Sequence, residues 1–327
     1  MTTKENIKAI VQAIKAEDRR LRKKYPILSH QNTIGLLITF AALACMIGLA
    51  TLYYFDVIPA WLCIFLSAIV ASISHEVEHD LIHKQYFSKQ PIVHNFMMLL
   101  VWIMRPNTIN PWYRRELHLN HHAVSGTDQD LEERLVGNGI KNPFMRFLVI
   151  VDGLIGLIVN SRRYSREIKG FSFFKVLNAA FPIATAYFIV LYTFLLFHLT
   201  SLFLPMSDIS PSWLLATMDV FSFLMVVLIA PNIIRSVSLN FVTSSMHYYG
   251  NVTNLYEQTH VITSRWFAPF HLFCFNFGKT HTIHHYAPNQ PFYLRQLVSH
   301  KIHKVMKEHG VRFNDFASLR NANLYTP

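Results

Sequence analysis

The sequence predicts an all-α integral membrane protein with four transmembrane helices in two hairpins and a helical cytoplasmic cap. Two observations carry this reading. Four long runs hold almost no charge, and lysine and arginine are absent from two of the turns between them. A third observation, histidine crowded into the basic segments, places a histidine-rich di-metal site in the cap.

Residues 34–55 carry no charge over 22 positions and residues 57–74 none over 18, with Asp56 alone between them and Pro59 following. A hydrocarbon core of roughly 30 Å takes about 20 helical residues to cross. The first hairpin is therefore expected at about 34–55 and 57–77. Residues 176–207 carry no charge over 32 positions, and residues 213–234 only Asp219, with the turn-forming SDISPS between them. These predict the second hairpin, at about 176–200 and 213–234.

Eight lysines and arginines precede the first run, thirteen lie between Lys84 and Lys175, and nine from Arg235 onward, out of 30 in the chain. Both outer turns are thus bare. The positive-inside rule then places both termini and the large middle segment in the cytoplasm. The expected organisation is one membrane domain over residues 1–327, with a cap built from 1–32, 78–175 and 235–327. In a bacterium this would be the inner (plasma) membrane. Buried core helices of a soluble protein could also be apolar over 18 residues, but they would not segregate charge so completely.

The apolar stretch 144–159 contains Arg146 and Asp152 and is too short to span, so it is expected to be interfacial or partly re-entrant. The first 24 residues are polar and basic, which does not match a signal peptide. Ile7, Ile10, Val11 and Ile14 among them make an amphipathic helix, lying on the cytoplasmic leaflet or solvated. Cys45, Cys63 and Cys274 form neither a disulfide framework nor a CxxC motif. Any metal must be held by histidine.

Of 18 histidines, eight fall in three boxes: 75-HEVEH-79, 118-HLNHH-122 and 281-HTIHH-285. An HxxHH pattern arises by chance roughly 0.05 times in such a chain, so two are poorly explained by coincidence. On a helix His75 and His79 share a face, as do His118 with His121 and His122, and His281 with His284 and His285. Such rings can converge on an ion, and eight exceed the four ligands of a structural zinc, which points to two ions. Neutral imidazole suits zinc, copper, iron or nickel alike. His83 continues the four-residue spacing from His79 and is either a ligand or a support. His260 and His271 are candidate supports, whereas His30, His94 and His198 stand alone, and His300, His303 and His309 lie among lysines.

Carboxylates can orient the rings by accepting the second ring N–H. Glu76, Glu78 and Asp80 flank the first box. Asp128, Asp130, Glu132 and Glu133 follow the second, where they serve the rings or form a solvated cluster starting a helix. Trp102, Trp112, Tyr113, Trp266 and Phe270 either line an acyl channel or form an interfacial belt.

An HxxxH, an HxxHH and a late HxxHH after two apolar hairpins resemble the membrane fatty acid desaturase and hydroxylase superfamily. The resemblance runs from about residue 33 to 294 and includes HTIHHYAPNQPFYLR, similar to that family's HxxHHxxPxxPxxxL. A ninth family histidine precedes an aromatic-glycine-asparagine run, matched here by 247-HYYGN-251. The resemblance implies nine iron ligands: His75, His79, His118, His121, His122, His247, His281, His284 and His285. It also implies two iron ions, O2 as co-substrate, and attack on an unactivated C–H bond of a fatty acid or fatty acyl thioester. Where several relatives place an asparagine four residues before the isolated histidine, this chain has Thr243, with Asn240 one turn earlier.

No cytochrome, flavin or iron-sulfur motif is visible, so electrons are expected from a separate ferredoxin-, rubredoxin- or cytochrome-type donor. The net charge of +11 suits such an acidic donor or the anionic heads of the lipid bilayer; nothing points to nucleic acid. Three outcomes remain open: desaturation, hydroxylation, and oxidative decarboxylation to a terminal alkene. SHEVEHDLIH with RPNTINPWYRRELHLNHH is similar to the 1-alkene-forming membrane fatty acid decarboxylases. A free carboxylate would ask for an arginine near the irons, for which Arg105, Arg114 and Arg115 are the candidates. A metal transporter or sensor is the non-enzymatic alternative, but the spans hold only His198 and Asp219 as ionisable residues, unlike a transport path.

Overall fold

A computed structural model describes residues 2–326. Helices account for nearly all of its regular structure, and no strand forms among the described residues beyond three isolated bridges. Four helices are long and apolar enough to cross a membrane: Gln31–Tyr54, Ala60–Ile82, Ile183–Ser201 and the continuous Ser212–Met246.

Helix α1 (Thr3–Lys24) starts on a capping box in which Thr2 and Glu5 satisfy each other's backbone N–H. Its apolar face is neither solvated nor turned to lipid. Ile10, Ile14 and Leu21 are buried against Val298, Ile302 and Met306 of the helix Phe292–Glu308, and Lys301 of that helix pairs with Glu17. A covered amphipathic face reads the same in sequence as one covered by lipid.

Helix α2 (Gln31–Tyr54) packs along α3 (Ala60–Ile82). The latter stays helical through the first histidine box, so one rod links the apolar run to the site. The apolar α4 (Pro91–Met104) has 14 residues and packs against both. Asn110 caps α5 (Pro111–Val124), which carries the second box, and Asp130 caps the short α6 (Leu131–Leu135).

The stretch 144–159 divides into α7 (Pro143–Val151) and α8 (Gly153–Glu167). At the break, Asp152 accepts from the N–H groups of Leu154 and Ile155, both at 2.9 Å, so neither piece is long enough to span. The third expected span is shortened in the same way. Residues 176–180 belong to α9 (Phe173–Ala180), and α10 (Ile183–Ser201) begins after Pro182, which has no N–H to continue the ladder.

The single turn α11 (Met206–Ile209) precedes α12 (Ser212–Leu224), which continues through a π-helical turn, Met225–Ile229, into α13 (Ala230–Met246). Pro231 follows that turn. Its ring cannot sit against the carbonyl four residues back, and the wider turn relieves the clash. The helix runs well past the expected end at residue 234. Arg235, which marks the charge boundary in sequence, is fully buried and donates to Asn232 at 3.0 Å and Asn107 at 2.6 Å. This extension delivers Thr243 and His247 to the site.

The remaining helices are α14 (Ala268–Phe273), α15 (Phe277–Tyr286) with the third box, α16 (Phe292–Glu308) and the short α17 (Ala317–Arg320). Gly278 lets α15 approach α13: a Cβ there would lie 2.9 Å from Val242 and 2.7 Å from His271.

Candidate metal centre

Two groups of four histidines form where α3, α5, α13 and α15 meet. His79, His83, His118 and His284 each bring a ring nitrogen within 4.8 Å of one another, and so do His121, His247, His281 and His285. The two groups adjoin: His281 and His284, one from each, have ring centroids 5.4 Å apart.

Each HxxHH box serves both groups rather than one. In α5, His118 belongs to the first group and His121 to the second. His122 stands with His118 again, its Nε2 3.2 Å from that of His118 and 2.9 Å from that of His284. In α15 the order reverses, with His281 and His285 in the second group and His284 in the first. Positions i+3 and i+4 lie about 100° apart around a helix, so one box can present rings to two neighbouring centres.

His83, left open in sequence between ligand and support, lies in the first group. His75 lies outside both, its ring 6.3 Å from that of His79, one turn further back along α3. Its Nδ1 accepts from Arg105 at 2.9 Å, and its buried Nε2 has no hydrogen-bond partner.

The tautomers of the second group follow from what stands behind the rings. His121 donates Nδ1–H to Asp130 at 2.8 Å, His247 to the Thr243 carbonyl at 2.9 Å, and His285 to Gln258 at 2.9 Å. Their Nε2 atoms are then lone pairs, and these face inward. His285 Nε2 lies 3.3 Å from that of His247 and 3.2 Å from that of His281, and His121 Nε2 has no partner. Lone pairs opposed at this distance repel unless a cation lies between them, so the donor set fits a metal ion.

In the first group His118 likewise donates Nδ1–H to Glu132 at 2.8 Å and turns Nε2 to that of His83 at 3.0 Å. His284 differs, because the Arg295 guanidinium donates to its Nδ1 at 2.7 Å. Arg295 also reaches Glu76 at 3.1 Å and Asp80 at 3.2 Å, joining α16 to the first box.

Burial holds His118, His281, His284 and His285 well below the ordinary imidazole range and His83 and His122 at about 2, which keeps the rings neutral. His121 is the exception. Burial pulls it down, but Asp130 behind it outweighs this and lifts it to about 10. The aspartate favours positive charge at that ring, whether a proton or a metal ion supplies it.

The charged cluster after the second box divides by position. Asp130 and Glu132 accept from rings and Glu133 lies 3.4 Å from His247 Nδ1, whereas Asp128 faces outward onto Tyr249 and Arg134. Thr243 sits 3.1 Å from His247 Nδ1 and 3.2 Å from Glu133, and Asn240 donates to the Ile150 carbonyl. His260 and His271 stand away from both groups, on the carbonyls of Ser245 and Ile262.

Two of the three arginine candidates are committed elsewhere. Arg105 is buried, pairing with Glu78 and holding His75. Arg115 donates to the carbonyls of Leu81 at 2.7 Å and Ile82 at 3.0 Å, capping the end of α3. Arg114 also meets Glu78, but it lines a narrow cavity of about 60 Å³ against the histidines. Leu239, Val136 and Phe277 wall that cavity, and none of the five aromatic channel candidates does. Trp102 is buried on Thr108, and Trp266 is 88% exposed.

Sequence reasoning missed Arg295, Gln258 and the chain's last turn. Fully buried Asn323 donates to the carbonyls of Ser244 and, at 2.8 Å, His247, and accepts from Arg146 at 2.8 Å. Asn323→Ala is expected to cost about 1–3 kcal/mol, because buried carbonyls beside His247 lose their donor. A melting curve of the purified protein reads this loss.

A family model described as fatty acid desaturase matches residues 55–317. All three histidine boxes and His247 fall within it. No curated protein matches the chain.

Proposed function

The chain belongs to the fatty acid desaturase family, and from that premise we propose a membrane enzyme that uses O2 and a two-iron centre to oxidise an unactivated C–H bond of a fatty acyl chain. Family membership makes it an oxidoreductase acting on fatty acyl chains. The observation that carries the finer reading is the pair of adjoining four-histidine groups, the second with inward-facing lone pairs. Of the nine histidines named from sequence, seven fall in the two groups with His83 and would hold the ions, His122 stands against His118 and His284, and His75 lies one turn further back.

Bound iron supplies the oxidising power that amino-acid side chains lack. The chain's own residues do the rest. Asp130, Glu132 and Gln258 fix ring orientation by accepting Nδ1–H, which keeps the opposite nitrogens available. Leu239, Val136 and Phe277 offer an apolar wall beside the histidines, where a methylene can lie with water excluded. With the basic segments cytoplasmic, electrons arrive there from a separate redox protein.

Decarboxylation of a free acid is the second reading, and one observation favours it: Arg114 lines the cavity beside the histidines. If Arg114 holds a carboxylate, Arg114→Gln is expected to raise the KM for free acids more than it lowers kcat. Unchanged kinetics would remove this role.

The deciding experiment quantifies iron in detergent-purified protein and analyses headspace and extract by gas chromatography after supply of a medium-chain fatty acid, O2 and a reducing system. An unsaturated or hydroxylated acid establishes a desaturase or hydroxylase, and a terminal alkene one carbon shorter establishes a decarboxylase. Protein without iron would overturn the proposal.

A further inference from the structure

We propose that the outer face of α8 with the start of α9 binds the phosphate of an acidic glycerophospholipid. The exposed row along α8 changes character once. The exposed Ile158, with the half-buried Leu154 and Ile155 a turn before it, gives way at helical spacing to the exposed Arg162 and Arg166, and Lys169 follows just past the helix end. Ile158, Ser161, Arg162, Ser165, Arg166 and Phe173 line an open cleft of about 530 Å³.

The charge there is not used within the fold. Glu167, the one acidic residue of α8, is held by Arg134 and Arg163, which leaves Arg162 and Arg166 exposed one turn apart. Guanidinium groups so spaced can share one phosphate.

The apolar half of the row calls for an amphiphile rather than a soluble anion. Ile158 is 53% exposed, and Phe174 beside the cleft 76%. Only α9 and two further residues separate the cleft from α10, which is long and apolar enough to cross a membrane. The cleft therefore lies where that helix would enter the bilayer, with cations at headgroup level and isoleucine and phenylalanine towards the acyl chains. An acidic protein would complement the arginines but leave the apolar half uncovered.

The test reconstitutes wild type and the Arg162→Gln/Arg166→Gln variant in bilayers mixing phosphatidylglycerol with phosphatidylcholine, and counts retained lipids by native mass spectrometry. Wild type is expected to retain phosphatidylglycerol preferentially. Each arginine should contribute roughly fivefold to that preference, so the double variant loses roughly twenty-five-fold. Arg166→Lys should retain part of it, and melting temperature and turnover in phosphatidylcholine alone should not change. Equal retention by wild type and double variant would overturn the proposal. So would a variant that keeps its lipids but loses turnover only with an acidic protein as electron donor, because the arginines would then dock that protein.

Discussion

Replacing His284 by alanine is expected to abolish turnover and lower bound iron from about two ions per chain to about one, with the protein still inserted in the membrane. His284 lies at the middle of the first group, its ring centroid 4.2 Å from that of His79, 4.6 Å from His83 and 4.8 Å from His122. The second group does not contain it, so that ion should remain. Insertion should survive because His284 sits on α15, a ten-residue helix that is not among the four long apolar ones. His198→Ala provides the control, since His198 packs on Phe194 in α10, far along the chain from every box. Activity retained by the His284 variant would remove this residue from the centre. Loss of both ions would mean that the groups load as one unit.

The division of labour inside the HxxHH boxes explains what was legible in sequence. That the boxes carry the site follows from local spacing, because three histidines within five residues share one side of a helix whatever the rest of the chain does. Which of the two groups each ring joins does not follow. His118 and His122 meet His284 only because α15 presents it to them, and that depends on how two helices more than 150 residues apart are packed. The same limit hid Arg295 and Gln258, whose partners lie in other elements. Aspartates 128 and 130 read alike in sequence, yet Asp130 caps α6 facing the rings and Asp128 faces water. Charge patterning marked the apolar cores of the four long helices but misplaced their ends. Arg235 looks like a boundary until Asn232 and Asn107 satisfy it inside the protein, and α13 then continues for three more turns.

Arg295→Leu is expected to be the most destabilising single change on the periphery of the centre. Its guanidinium is 2% exposed and bridges Glu76, Asp80 and the His284 ring, tying α16 and α15 to α3. Leucine would keep much of the volume but leave two buried carboxylates facing each other's charge. Removing one partner of a buried ion pair costs about 3–5 kcal/mol, most of it from the charge left behind. The remedy distinguishes this cause from a packing defect: Glu76→Gln with Asp80→Asn in the same chain removes the orphaned charges and should recover most of the melting temperature. Iron content should not recover with it, because His284 would still lack the donor that fixes its ring. Arg295→Lys should fall between, since one ammonium restores charge but cannot span two carboxylates and an imidazole with a planar fork. If the leucine variant melts like wild type, the carboxylates are neutral in the folded protein and Arg295 is dispensable for its stability.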